Sequence, residues 1–475
     1  MKKIDYWFWG IFILALFLRL YRLGYHSLWV DEGYALWLAK QRLSYIISQT
    51  ASTDIHPPLF YSFFWAWINL LQLLKLPQTE TWLRLPFAIF SAIQVPVLYK
   101  LTETIWNKKL AILVALGLAV SSSHIIMGGG EIKMYSMLSL FALLSIFFLY
   151  RWMISNNVIF LGGYLIFTIL ALYTHNLAVL LLLIEEIYLI LFLNKITIRN
   201  WVIIQVLLFI GYLPWLPNFL SQLKNSPIPI NNTGNLSNFF DTYLILFHGY
   251  PIHLKQWSFF YIILLVLIFL ALILSLKKES PYFPERLFAL TTILPVGVMV
   301  IISYIHPYTV FCPRHLIFIL PFFLILIFKQ YPSSLTKCVV VIFIICNLIS
   351  LVDWYYYPNY QKARWKEIGQ LLKQRVSVQD AIILQDGYQI YAFKYYFENN
   401  LPIYLFNKDT SQEAMSFVLH HYKRIWYLDY YGWLTDPNKK IGKWLLQHYI
   451  PVDMKKFECS LTPGEYTVLI NFQKP

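Results

Sequence analysis

Long apolar runs, broken by one to three charged residues at a time, fill the chain as far as Val352. A helix that crosses a bilayer needs about 20 mainly apolar residues. Twelve stretches approach that length: Tyr6–Leu23, Pro57–Leu76, Leu83–Leu101, Leu110–Met127, Met134–Met153, Val158–Tyr173, Asn176–Leu193, Trp201–Leu220, Trp257–Leu276, Leu287–Ile305, Leu316–Phe328 and Cys338–Val352. Beyond Val352 the pattern changes, because charges recur throughout Asp353–Pro475 and no further run could span. Helical periodicity predicts helices over Ala363–Arg375, Ser411–His421 and Lys439–His448. Short β-rich runs predict strands at Ala381–Leu384, Ile403–Phe406, Ile425–Leu428 and Thr467–Ile470. The expected fold is an all-α polytopic membrane protein over residues 1–352, with a small C-terminal α/β soluble domain over residues 353–475.

The connection from Gly24 to His56 breaks the rhythm. It is too long for a turn and too apolar for a free linker. Trp29, Tyr34, Leu36, Trp37, Tyr45 and Ile46 fit one or two amphipathic helices lying in the interfacial plane. Residues 24–56 are therefore read as an outer loop containing such helices.

Composition agrees. Hydrophobic residues make up 58% of the 475 and charged residues 13%, against roughly 25% charged in a soluble domain. The mean hydropathy is +0.55. The net charge of +14 does not make a nucleic-acid binder, since its lysines and arginines are scattered between apolar runs, as in proteins that use them to set membrane orientation. Suppose the N-terminus is cytoplasmic and Pro57–Leu76 dips in without crossing. The connections at Lys100/Lys108/Lys109, Arg151, Lys195/Arg199, Lys277/Lys278/Arg286 and Lys329/Lys337 then all fall inside, leaving about 11 crossings and the C-terminal domain outside. If every stretch crosses, those connections fall outside, against the rule. The expected count is about 11–13 helices. Cys312, Cys338, Cys346 and Cys459 lack metal-binding spacing and read as structural thiols.

Five short polar interruptions carry candidate chemistry. Asp31 and Glu32 form an acidic pair at the start of the loop's first amphipathic stretch, where a capping role competes with a catalytic one. His56 precedes Pro57-Pro58, a pair suited to a helix start; its ring could meet a phosphate, a metal or only water. Gly128-Gly129-Gly130 end one run, and Glu131, Lys133 and Tyr135 head the next. His175 lies in the polar break Tyr173-Thr174-His175-Asn176, and Arg314 and His315 stand at the head of a late span. In the favoured orientation these residues and Arg84 share the outer side. Ionisable groups near membrane depth are costly and tend to mark function. Cations suit a lipid phosphate, and a carboxylate suits removal of a hydroxyl proton.

The strings LGYHSLWVDEGYALWLAK, DIHPPLFY, WLRLPFAIFSAIQVPVLYKL, GGGEIKMYSML, LYTHNLAVLLL and CPRHLIFILPFFL cover much of Leu23–Leu324 in order. Together they resemble the GT-C glycosyltransferases of the glycosyltransferase family 39, protein mannosyltransferase and aminoarabinose transferase group. The resemblance implies an integral-membrane enzyme that moves a sugar from a polyprenyl-phosphate donor to a lipid, glycan or protein acceptor at the outer face, with inversion. It implies that Asp31, with Glu32 beside it, is the base or acceptor-orienting carboxylate. His56 occupies the position before the prolines where some relatives carry a phosphate-binding lysine. Lys133 replaces the arginine of an E-x-R-x-Y string but keeps its charge, and Arg314 fits the basic residue at the head of a late helix. Arg84, Glu131, Tyr135, His175 and His315 complete the expected substrate-binding set. No cofactor is required by the sequence, while the His and Glu residues leave room for a divalent metal without diagnostic spacing. The expected partners are the lipid-linked donor, the acceptor and membrane lipids, with no nucleic acid, in a bacterial inner membrane.

Two rivals remain. A ligase of the same architecture would take a preassembled glycan. A transporter or flippase of lipid-linked sugars would show repeat halves and paired helix breaks at mid-membrane, whereas the breaks here gather at one face.

Overall fold

The computed structural model describes residues 5–190, 198–224, 236–249, 258–275, 284–305, 312–357, 360, 362–385, 387–398, 400–430, 436–459 and 466–475. Lys195, Lys277 and Lys278 of the orientation argument lie outside them. The chain forms two compact units: Met1–Leu23 with Gln41–Leu351, and Gly24–Lys40 with Val352–Pro475. The sequence alone groups Gly24–Lys40 with the apolar module; in the fold these residues pack with the C-terminal domain.

The first unit is helical. Its described helices are α1 (Tyr6–Leu20), then, after α2 of the second unit (Val30–Ala39), α3 (Leu43–Ser52), α4 (Leu59–Leu73), α5 (Glu80–Ile105), α6 (Lys108–Val120), α7 (Tyr135–Ser155), α8 (Val158–Thr174), α9 (Ala178–Ile190), α10 (Ile198–Tyr212), α11 (Leu216–Lys224), α12 (Leu236–His248), α13 (Ser258–Ser275), α14 (Pro284–Ile305), α15 (Leu320–Phe328) and α16 (Ser334–Tyr356). Among the described residues, Glu80–Ile105, Tyr135–Ser155, Pro284–Tyr304 and Ser334–Tyr356 are long and apolar enough to cross a membrane singly. The pair α10 and α11, bent by 71°, makes a fifth candidate, and shorter apolar helices lie at Tyr6–Leu20, Leu59–Leu73, Val158–Thr174 and Pro313–Phe328. Exposed Trp7, Ile13, Phe17, Ile159, Ile166, Val202, Phe209, Ile262 and Val266 leave apolar surface on several of these helices, as expected where lipid is the solvent. The protein is a multi-pass membrane protein.

One buried polar network in this unit centres on Arg19. The Arg19 guanidinium donates to Ser91 Oγ at 2.8 Å and to the Leu118 and Ala119 carbonyls at 3.1 Å. It also meets His124 Nδ1 at 2.8 Å. Arginine cannot accept, so Nδ1 of His124 accepts and its Nε2–H donates to Gln94 Oε1 at 2.9 Å. This network anchors the π-helical turn His124–Gly129, which delivers the chain to Glu131 and Lys133. Glycine is needed at 129, where a Cβ would come 2.6 Å from that of Ser91. Lys329, a connection residue in the sequence reading, is instead buried and paired with Glu285 at 3.0 Å.

The second unit holds α2, α17 (Trp365–Arg375), α18 (Gln389–Tyr396), α19 (Gln412–His421), α20 (Lys440–His448) and the strands β1 (Asp380–Gln385), β2 (Ile403–Phe406), β3 (Arg424–Asp429), β4 (Ile450–Glu458) and β5 (Tyr466–Gln473). The sheet order is β2-β1-β3-β5-β4. β1 runs parallel to β2 and β3, and β5 antiparallel to β3 and β4. Alternation splits the strand side chains between two cores. Ile382, Leu384, Trp426, Leu428 and Leu469 pack with Trp365, Ile368, Ala392 and Phe393. Ile383, Ile425, Tyr427 and Phe472 pack with Met415, Val418, Ile441 and Leu445. α2 joins the first core through Trp29, over whose ring Lys362 Nζ sits at 3.9 Å. The Leu28 N–H donates to Tyr396 Oη at 2.7 Å. Each predicted strand and helix of this domain is present, and β4 and α18 are additional.

Candidate active site

In the first unit, chain-distant residues converge on the turn between α3 and α4. Gln222 of α11 donates to the Thr50 and Asp54 carbonyls, both at 2.9 Å. Asn176, from the break between α8 and α9, donates to the Ile55 carbonyl and to Gln222 Oε1, also at 2.9 Å. The turn is thereby fixed from two sides. Within it, Asp54 Oδ1 accepts the His56 N–H at 3.0 Å and meets His56 Nδ1 at 2.8 Å, while Oδ2 accepts the Tyr61 hydroxyl at 2.8 Å. Burial alone would raise the Asp54 carboxyl. The hydrogen bond and charge of His56, the Tyr61 hydroxyl and the charge of Lys133 outweigh that and hold it below the usual carboxylate range. With Nδ1 turned to Asp54, His56 presents Nε2 for anything it binds.

His56 meets His175 edge to face, with ring centroids 5.1 Å apart. His175 lies 6.0 Å from His315 and 6.1 Å from Tyr135, and Tyr135 lies 5.7 Å from His315. His175 Nδ1 accepts the Leu177 N–H at 3.1 Å, which leaves the neutral ring's proton on Nε2. That Nε2 is buried and has no hydrogen-bond partner among the described residues. Burial, then the charges of His56 and Lys133, hold His175 well below the usual histidine range. Lys133, 8% exposed, follows the π-helical turn, with Glu131 buried two residues before it. Arg314 is half-buried beside His315 in the 3₁₀ turn Pro313–Ile319.

Of the sequence candidates, His56, Lys133, Tyr135, His175, Arg314 and His315 belong to this cluster. Arg84 is buried on α5, where it donates to the Leu23 carbonyl at 3.0 Å. Asp31 and Glu32 belong to the second unit, on the first turn of α2. Asp31 is half-buried. Glu32 is fully buried and accepts the Trp29 N–H at 3.2 Å. Sequence reasoning passed over Asp54, although the D-x-H spacing at a turn before two prolines was available as a signal. It also passed over Gln222, which nothing local marks. No group of three or more His, Cys, Asp or Glu among the described residues is arranged to hold a metal ion. The Nδ1 atoms of both His56 and His175 are already committed.

No family model and no curated protein matches the sequence. Solved structures do match the fold. An archaeal oligosaccharyltransferase, AglB from Archaeoglobus fulgidus, in complex with an inhibitory peptide and a dolichol-phosphate, aligns with a TM-score of 0.54 at 11% identity, over 89% of this chain and 69% of its own. ArnT from Cupriavidus metallidurans, bound to undecaprenyl phosphate, aligns with a TM-score of 0.52 at 10% identity, over 98% of this chain and 97% of its own. The arabinofuranosyltransferase AftD from Mycobacteria aligns with a TM-score of 0.51 at 10% identity, over 100% of this chain and 40% of its own. The chain has the GT-C fold that the sequence resemblance implies.

Proposed function

We propose that the protein is an integral-membrane glycosyltransferase that takes a sugar from a polyprenyl-phosphate donor at the outer face and passes it to an acceptor, with inversion. The observation that carries this reading is the buried Nε2–H of His175, without a hydrogen-bond partner among the described residues and set among His56, His315, Tyr135, Lys133 and Arg314. An unsatisfied buried donor costs about 1–3 kcal/mol, and an anion that accepts from it relieves that cost. A lipid phosphate suits such a place, and two proteins of the same fold are described with polyprenyl phosphates.

The chemistry follows from charge. The acceptor oxygen attacks the anomeric carbon as the bond from that carbon to the phosphate oxygen breaks, through an oxocarbenium-like state. The leaving polyprenyl phosphate is already an anion and needs cations rather than a general acid. In this reading Lys133, Arg314 and His56 stabilise it, with His175 donating. Asp31 takes or orients the acceptor proton.

The test is incubation of purified protein with a panel of labelled polyprenyl-phosphate sugars, measuring released carrier phosphate and labelled acceptor. Release that depends on His175 and Lys133 is the expected result. Movement of intact lipid-linked sugar across the bilayer without release would replace this reading with that of a flippase. A reporter fused at Pro475 tests the outer-face assignment.

A further inference from the structure

The C-terminal domain carries a cavity that the transfer reaction does not use. β1 leads into α18, which packs on the Ile382/Leu384 face of the sheet through Ala392 and Phe393. β3 is followed by α20, which packs on the opposite face through Ile441 and Leu445. The chain therefore leaves two neighbouring parallel strands toward opposite faces. In open α/β sheets ligands bind at such a switch point, outside the carboxyl ends of the strands. Gln385 ends β1 and Asp429 ends β3, one step beyond the paired Leu384 and Leu428.

A cavity of about 620 Å³ opens there, within the range of small-ligand sites. Tyr427, Ile470 and Phe472 form an apolar floor from the sheet, and α20 walls it at Gly442 and Leu446. Gln385 is 2% exposed, and its Oε1 accepts no hydrogen bond among the described residues. A side-chain carbonyl held in that state is a ready acceptor. A Cβ built on Gly442 meets nothing within 4 Å, so the space beside the helix is open.

The lining selects the ligand. Among the described residues, Asp429, Asp436 and Asp453 line the cavity against one cation, Lys439. Asp436 is committed to capping α20, accepting from Lys440 N–H at 2.8 Å and Ile441 N–H at 2.9 Å. Asp453 is paired with Arg375. These carboxylates oppose phosphate or any other anion. An apolar floor facing an edge of side-chain acceptors fits a ring with one C–H face and a rim of hydroxyls. We infer that this cavity binds an uncharged glycosyl unit, with Gln385 and Asp429 accepting hydroxyls and Tyr427 and Phe472 beneath the ring.

The test uses the full chain in lipid nanodiscs, so that no sugar-based detergent competes. Saturation-transfer NMR is read with mannose, glucose, galactose, N-acetylglucosamine and cellobiose, and binding of inorganic phosphate is measured in parallel. At least one sugar should show transfer to its ring protons at an affinity near 1 mM, with no binding of phosphate to this domain. Gln385→Ala and Asp429→Ala should each weaken binding by about tenfold, the loss of one buried hydrogen bond. Gly442→Trp fills the cavity from a helix position where glycine is unfavourable, so it should abolish binding while thermal unfolding stays at or above wild type. Because no turnover is read, the result does not depend on the transferase reading. The inference is overturned if no sugar binds at about 50 mM, if Gly442→Trp leaves binding intact, or if phosphate competes with the sugar.

Discussion

One carboxylate oxygen of Asp54 holds both the backbone N–H and Nδ1 of His56, at 3.0 and 2.8 Å. The ring is thus locked in rotation with Nε2 directed away from its partner. Asp54→Asn should therefore lower transfer by about 10- to 100-fold, the usual effect of losing a group that orients a ligand-binding histidine. It should raise the donor KM more than it lowers kcat. Steady-state kinetics with the lipid-linked donor measures the split, and unchanged kinetics would remove Asp54 from the site.

His175 gives a pH signature in stability. Its folded pKa lies well below the usual value, so below about pH 6.5 the unfolded chain binds a proton that the folded chain does not. Stability should fall as the pH drops through that point. Asp54 acts in a lower window: its folded pKa is depressed, so its contribution is complete above about pH 4 and is lost as the pH falls further. Thermal unfolding of wild type and His175→Gln between these values separates them. The variant should have a shallower upper slope, since the buried His315 contributes to it in the same direction, and should keep the lower one.

Asp31→Asn should leave the protein folded and inserted, because Asp31 is half-buried at a helix start. Transfer should fall by at least about 100-fold if the carboxylate handles the acceptor proton. A wild-type rate in the labelled-donor assay would refute that assignment.

Gly33 on α2 has a structural reason to be glycine. A Cβ there would lie 2.4 Å from the backbone nitrogen of Ala392 on α18, an atom that cannot swing aside. Gly33→Ala should cost about 1–3 kcal/mol by overpacking. It should loosen α2 from the C-terminal domain, read as faster proteolysis between Gly24 and Lys40.

Asp380 anchors the sheet. It is 1% exposed and accepts from Arg424 Nε at 2.8 Å, Trp426 Nε1 at 2.9 Å and the Ser377 hydroxyl at 2.8 Å. Burial would raise its carboxyl, but those donors hold it below the usual range. Asp380→Ala leaves a buried indole N–H unpaired and a partly buried guanidinium without its counter-charge. The cost should be about 3 kcal/mol, read as early loss of near-ultraviolet dichroism from the buried tryptophans. Asp380→Asn should be intermediate.

What the sequence determined is what local periodicity encodes. The apolar runs, the change at Val352, four strands and three helices of the C-terminal domain are legible because alternation and helical spacing are properties of neighbouring residues. α18 and β4 were not; in β4, Pro451 and the adjacent Lys455 and Lys456 interrupt the apolar alternation of Ile450–Glu458. This strand is an edge strand exposed on nearly every residue, and its Lys455 and Lys456 suit an edge that must not pair further. The strings GGGEIKMY, YTHN and CPRH were legible as interruptions gathered on one outer side, but not which of their side chains meet. Only tertiary structure brought His175 and His315 beside His56 and turned Asp54 from a loop acid into its partner. Gln222, which pins that turn from α11, carries no local mark, since a glutamine on an amphipathic helix is ordinary until its amide meets two carbonyls far away in sequence. The packing of Gly24–Lys40 into the C-terminal domain was likewise a tertiary decision. Its amphipathic face requires an apolar partner, and a bilayer surface and a protein core satisfy the same pattern equally well.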